Sequence, residues 1–302
     1  MQGPTCPQPE ALFLAAHSVA GGQRLGLFHA PVGGPLRGLV IYLHPFAEEM
    51  NKSRRMAALQ ARALADTGYA VLQIDLLGCG DSSGDFGDAS WNDWIDDVEL
   101  AVQWLRQRMA APANAPLWLW GLRAGCLLAV NAARHLQVRC NFLFWAPTCS
   151  GKTVLQQFLR LKVASDLVGG TGKGVMEGLR QQLAAGTAVD IAGYRLAPSL
   201  ASALEGCELS PAGLEPMQDS GAQHRRVVWL ELSTREDASL TPVAVKTTAL
   251  WEQAGFALHS NTVRGPGFWQ TTEIEDAPAL ITATCAALAP AKPGEPAQDL
   301  LV

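Results

Sequence analysis

Short apolar runs, each closed by Gly, Pro, Asn or Asp, alternate along the chain with longer stretches in which apolar positions return every three or four residues. The short runs predict strands near residues 11–17, 24–30, 38–43, 70–75, 116–121, 139–146, 226–232 and 257–263. The longer stretches predict helices near 52–67, 91–109, 124–135, 241–254 and 273–288. Two boundaries carry their own signals. Ser90 is a candidate N-cap with Asp93 three residues on, and Gly68 closes the helix before the strand that starts at Tyr69. Strands alternating with helices predict an α/β fold, a mostly parallel eight-stranded sheet with helices on both faces, built as a single domain over residues 1–290.

Between Pro147 and Arg226 the strand rhythm stops. Helical patches at Leu155 to Val168 and Val175 to Ala185 predict a helical cap, inserted at about 150–225 between the sixth and seventh strands. The run Gly169-Gly170-Thr171-Gly172-Lys173-Gly174 is not a phosphate loop. A Walker motif needs Ser or Thr after Lys173 and Gly five residues before Gly172, where this chain has Gly174 and Leu167. The run reads instead as the hinge of a mobile lid. Residues 291–302, rich in Pro and Ala, read as a disordered tail.

Composition narrows the class of ligand. With 302 residues and 48% hydrophobic content, the chain can bury one large core. The net charge of −5 is dispersed, which leaves no basic patch for nucleic acid or an anionic membrane surface. A small soluble ligand fits better, and a homodimer stays open. Seven scattered cysteines with no CxxC pair fit a reducing compartment, with neither a disulfide framework nor a metal site, and no cofactor motif stands out. The first ten residues lack a secretory pattern, and no apolar run reaches the roughly 18 residues of a membrane span. The expected location is cytoplasmic.

Parallel sheets bind ligands beyond the carboxyl ends of their strands, so the residues that end each strand are the candidates. After the third strand stands His44-Pro45-Phe46, a turn whose backbone N–H groups suit an oxyanion; His44 either contacts a ligand or caps the turn. Glu48 and Glu49 follow it, as a general base or as a solvated loop face. Asp75 to Ser82 reads D-x-x-G-x-G-x-S, a loop whose glycines permit positive φ.

The fifth strand runs into Gly121-Leu122-Arg123-Ala124-Gly125 and then a small-residue helix, the strand, turn and helix context of the G-x-S-x-G nucleophile elbow of α/β-hydrolases. Arg123 holds the serine's place, and a guanidinium stays protonated and only donates. In chain order the acid belongs after the seventh strand, where Glu236 and Asp237 stand, and the histidine after the eighth, where Arg264 to Trp269 offers none. His259 lies inside the eighth strand. Cys79, Cys126 and Cys149 are alternative nucleophiles, each more simply read as a small buried hydrophobe. Phe46, Leu122, Ala124, Trp145, Gly267, Phe268 and Trp269 fall at strand ends and are candidate ligand contacts.

The stretches HPFAEEMNKSRRM (44–56), LLGCGDSSGDF (76–86), LWLWGLRAG (117–125) and GPGFWQTTEI (265–274) closely resemble the bacterial family called hydrolase 2, exosortase A system-associated, over about residues 10–290. The resemblance implies the α/β-hydrolase fold and a cytoplasmic bacterial protein linked to PEP-CTERM sorting and exopolysaccharide synthesis, in which arginine at position 123 is typical.

Two readings follow. In the first, His44, Glu48 or Glu49 and an activated water hydrolyse an ester or thioester, such as an acyl-carrier or coenzyme A conjugate. In the second, a pseudoenzyme with a degenerate catalytic triad binds an anionic acyl or phosphate ligand at Arg123. In either case a buried guanidinium needs a carboxylate, and chain order points to Asp237 or Glu236 as its partner.

Overall fold

The computed structural model describes residues 8–16, 21–168, 174–214 and 225–289. Its large sheet is built from β1 (Glu10–Ala15), β2 (Gln23–His29), β3 (Gly38–Leu43), β4 (Tyr69–Ile74), β5 (Leu117–Leu122), β6 (Asn141–Trp145), β9 (Arg226–Ser233) and β10 (Ala257–Arg264). The order across the sheet is β1-β2-β4-β3-β5-β6-β9-β10. Only β2 runs against its neighbours, β1 and β4, and all other pairings are parallel. Each expected strand is present to within two residues. The connecting helices are α1 (Glu48–Asp66), α2 (Trp91–Arg108), α3 (Ala124–His135), α7 (Pro242–Gln253) and α8 (Pro278–Leu288).

Unbroken apolar runs in the central strands arise because both faces of the sheet are covered. Along β3, Leu39, Ile41 and Leu43 face the layer of α2 and α3, while Val40 and Tyr42 face α1 and α8. The same parity divides β5, with Leu117 and Leu119 on the first face and Trp118, Trp120 and Leu122 on the second. It also divides β6, where Phe142 and Phe144 oppose Leu143 and Trp145.

Three local structures differ from the pattern reading. First, α1 begins at Glu48, not near 52. Its N-cap is Ala47 at φ 49°, with no side-chain cap, so the usual Ser, Thr, Asp or Asn signal is missing. The two glutamates of its first turn suit the positive end of the helix dipole instead. Second, α8 begins at Pro278, not near 273, with proline in the first turn where its missing N–H costs nothing.

Third, the insertion is not wholly helical. It holds α4 (Gly151–Val168), α5 (Val175–Ala184) and α6 (Pro198–Glu205), together with a hairpin of β7 (Val189–Ile191) and β8 (Tyr194–Leu196). The hairpin turns at Ala192 and Gly193, both with positive φ, and an Ala-Gly pair lacks the Asn-Gly signature that would have disclosed it. The glycine run expected to act as a hinge lies, through residue 173, outside the described residues, as does the tail from 290.

The loop after β4 is fixed from below by a buried ion pair. Arg24 Nε meets Asp97 Oδ1 at 2.6 Å, with the two side chains 0% and 1% exposed. The other oxygen of Asp97 accepts the Leu77 N–H at 2.7 Å, so one carboxylate ties β2, α2 and the glycine loop together. Within that loop Ser82 Oγ donates to the Asp75 carbonyl at 2.6 Å and accepts from Leu25 N–H at 2.9 Å, which makes the motif structural. Asp97→Ala strands a buried guanidinium and an amide, and is expected to destabilise the fold by about 3–5 kcal/mol in chemical denaturation.

Candidate functional site

β5 lies between β3 and β6 in the middle of the sheet, and its carboxyl end delivers the elbow. Arg123 takes φ 55° and ψ −117°, a conformation that costs on the order of 1–3 kcal/mol and survives only where the surroundings impose it. They do so by contact on both sides. A Cβ on Gly121 would stand 2.4 Å from the Cys126 nitrogen, and one on Gly125 would stand 2.1 Å from the Leu43 carbonyl oxygen. The Arg123 N–H donates to the Trp145 carbonyl at 3.0 Å, which fixes the turn to β6. The elbow geometry is complete, with arginine at its tip. Ala124, the next residue, opens α3, where first-turn N–H groups lack intrahelical acceptors.

The guanidinium is held by side chains from three places. Nε meets Glu49 Oε1 at 3.3 Å, with the two side chains 16% and 18% exposed. Nη2 donates to Gln157 Oε1, on α4, at 2.7 Å. The Trp269 ring lies beneath, 5.3 Å from the guanidinium carbon to the ring centroid. The expected partners stand elsewhere: Glu236 pairs with Arg264 at 3.1 Å on the surface, and Asp237 is exposed. The start of α1 explains the difference, because beginning at Glu48 it turns Glu49 toward the elbow.

Burial pushes the Glu49 carboxyl up to about 7, opposed by the attraction of Arg123. Glu48 is also raised by burial, and its Oε2 is buried without a hydrogen-bond partner among the described residues. His44 Nδ1 lies 2.8 Å from the Pro45 carbonyl, and Nε2 lies 3.4 Å from the Leu76 N–H. Backbone groups thus engage both ring nitrogens if Nδ1 carries the proton, and burial lowers the pKa of the ring further. His44 is the cap of its turn.

The remaining candidates separate by sheet parity. Trp145 faces the α1 and α8 layer, fully buried, with Nε1 donating to Thr284 Oγ1 at 2.9 Å, so it is core and not pocket wall. Phe268 packs on it from the same side, 6.2 Å between ring centroids, and Leu122 is fully buried in that layer. Phe46 is buried among Phe86, Trp94 and Phe158. Gly267 accepts the Gln270 N–H at 3.0 Å in the turn that presents Trp269. Burial raises the Cys79, Cys126 and Cys149 thiols, which disfavours a thiolate at each. Gln157 and the Glu49 pairing escaped the sequence reading, because no local pattern says which residue of a cap faces an elbow.

On the far side of the first turn of α1, a cleft of about 350 Å³ is lined by Met50, Asn51, Arg54, Asp81 and Tyr194 beside the glycine loop. Among the described residues no three His, Cys, Asp or Glu side chains gather as a metal site, and no helix is long and apolar enough to cross a membrane.

Comparison with known proteins agrees with this fold. The family model for serine aminopeptidase, S33, matches residues 34–173, a stretch that includes the elbow. Human protein ABHD12B is 31% identical over 99 residues, which cover 33% of this chain and 25% of that protein. The lysophosphatidylserine lipase ABHD12 of Danio rerio is 31% identical over 98 residues, 32% of this chain and 24% of that protein. The match thus spans about a quarter of the length of these curated relatives. Among solved structures, Est1E from Butyrivibrio proteoclasticus with ferulic acid bound superposes at a TM-score of 0.61 with 14% identity, covering 92% of this chain and 96% of that one. The chain has the α/β-hydrolase fold.

The Glu49 carboxyl gives the site a pH signature. Its folded value of about 7 lies above the ordinary glutamate value of 4.5, so between these values the native state binds more protons than the unfolded chain. The associated stability is fully present below about 4.5 and is lost as pH rises through about 7. The Glu49→Gln variant should lack this loss, so the difference in Tm between variant and wild type should grow in the variant's favour across that window. A pH-independent difference would contradict the burial argument.

Proposed function

We propose that this chain is a hydrolase-fold binding protein with a degenerate triad, which holds the carboxylate or phosphate of a small ligand at Arg123. One observation carries the reading: the guanidinium stands at the tip of the elbow, at the amino end of α3, with its hydrogen-bonding edge divided between a long 3.3 Å contact to Glu49 and a neutral amide. A bidentate oxyanion suits that edge better than either present partner. The chemistry of a serine hydrolase is missing at the tip, where no hydroxyl stands, and after β10, where Arg264 to Trp269 contains no histidine.

The resemblance to the exosortase A-associated family supports an acyl phosphate, an acyl-carrier or a coenzyme A conjugate as ligand. A fluorophosphonate probe is expected to leave the protein unlabelled, and acetyl phosphate and acetyl-coenzyme A are expected to bind wild type at least tenfold more tightly than Arg123→Ala in calorimetric titration. Stoichiometric labelling of a serine, or equal binding by both proteins, would remove the reading.

A second reading has one observation in its favour. Glu49, with its carboxyl held at about 7, is tuned for a general base that activates water toward an ester or thioester. Hydrolysis of p-nitrophenyl acetate would then rise with pH through about 7 and vanish in Glu49→Gln. A flat profile at the level of the buffer blank leaves the binding reading alone.

A further inference from the structure

We propose that Gln157 is a built-in stand-in for the ligand, a neutral plug whose amide oxygen occupies the oxyanion position on Arg123 and thereby admits oxyanions over neutral carbonyl compounds. The inference rests on the anion reading above and adds a selectivity device to it. A comparison within the molecule carries it. Arg55 presents its Nε and Nη2 edge to one carboxylate, that of Asp276, with both contacts at 2.8 Å. The same edge of Arg123 is divided between two residues on two elements, with Nη2 on Gln157 at 2.7 Å and Nε on Glu49 at 3.3 Å. The short contact is to the uncharged group, and the carboxylate stands off.

The plug moves without its helix. Val154, Leu155, Phe158 and Leu159 of α4 are all buried, so lifting α4 would expose every one of them. Gln157 lies on the outer face of the same helix and is exposed, so a change of rotamer can free Arg123 while those four side chains stay buried. An incoming oxyanion has to displace the Gln157 amide oxygen from Nη2 and, to take both nitrogens, the more distant Glu49 carboxylate from Nε. A carboxylate or phosphate does so, because a charge-assisted bidentate pair outcompetes a single bond to a neutral acceptor, whereas an ester or amide carbonyl offers no more than Gln157 already supplies. The site would therefore take oxyanions and reject neutral carbonyl compounds.

Two variants of an exposed residue test this without threatening the fold. Gln157→Ala removes the plug and is expected to tighten acetyl phosphate binding on the order of five- to tenfold, while Gln157→Glu, an isosteric anion, should weaken it by more than tenfold. Phenylglyoxal, an arginine-selective reagent, gives a readout that needs no bound anion. Its rate at Arg123, followed by mass spectrometry, should rise several-fold in Gln157→Ala and fall several-fold in Gln157→Glu. If acetyl phosphate binds none of the three proteins while that order of reactivity holds, the anion reading fails and the plug stands. Unchanged reactivity in both variants overturns the plug, as does acetyl phosphate binding that is measurable in wild type and no tighter in Gln157→Ala.

Discussion

A guanidinium at the tip of a strained turn in the middle of a sheet cannot be left alone. With 16% of its side chain exposed, Arg123 keeps its charge and must find acceptors nearby. The arrangement around the elbow answers that requirement: the first turn of α1 supplies Glu49, the cap supplies Gln157, and the loop after β10 lays Trp269 under the cation. In a serine hydrolase the same three regions would serve a nucleophile. Here they serve a charge, and the backbone strain at φ 55° is retained although no hydroxyl needs to be presented.

Much of the scaffold was legible because burial on both sheet faces writes itself into the sequence. Leu39 to Leu43, Leu117 to Leu122 and Asn141 to Trp145 are runs that only a covered parallel sheet explains, and the elbow glycines mark positions where a side chain has no room. Chain order also placed the loops that follow β9 and β10, since those follow from the strand sequence. It did not locate the partner of Arg123, because chain order reports where a triad acid would stand and not where a cation is neutralised.

What escaped the sequence shares one physical character: it depends on which way a side chain faces across elements far apart in the chain. Trp145 was a candidate pocket residue by its place at a strand end, yet it pairs in register with Leu122 and so shares that residue's buried face. Pleat parity contained that answer once the register of β5 and β6 was known. Glu49 depended on four residues of helix start, hidden because Ala47 adopts a positive φ without a capping side chain. Gln157 had no signal at all, since alternation along α4 distinguishes buried from exposed but not which exposed residue reaches the elbow.

The division of the Arg123 edge also links the site to protons. On the proposed reading Glu49 and a bound oxyanion would compete for one cation, so whatever neutralises Glu49 would favour the ligand, and reciprocity would require that a bound oxyanion favour the protonated form of Glu49. Burial has already brought that carboxyl to about 7, so such an exchange would take place near neutral pH and not at the acid extreme of an exposed carboxylate. Gln157 cannot take part in that exchange, because an amide does not titrate. The two acceptors on one guanidinium therefore do different work on the proposed reading: the carboxylate couples affinity to pH, and the amide sets a threshold that is the same at every pH.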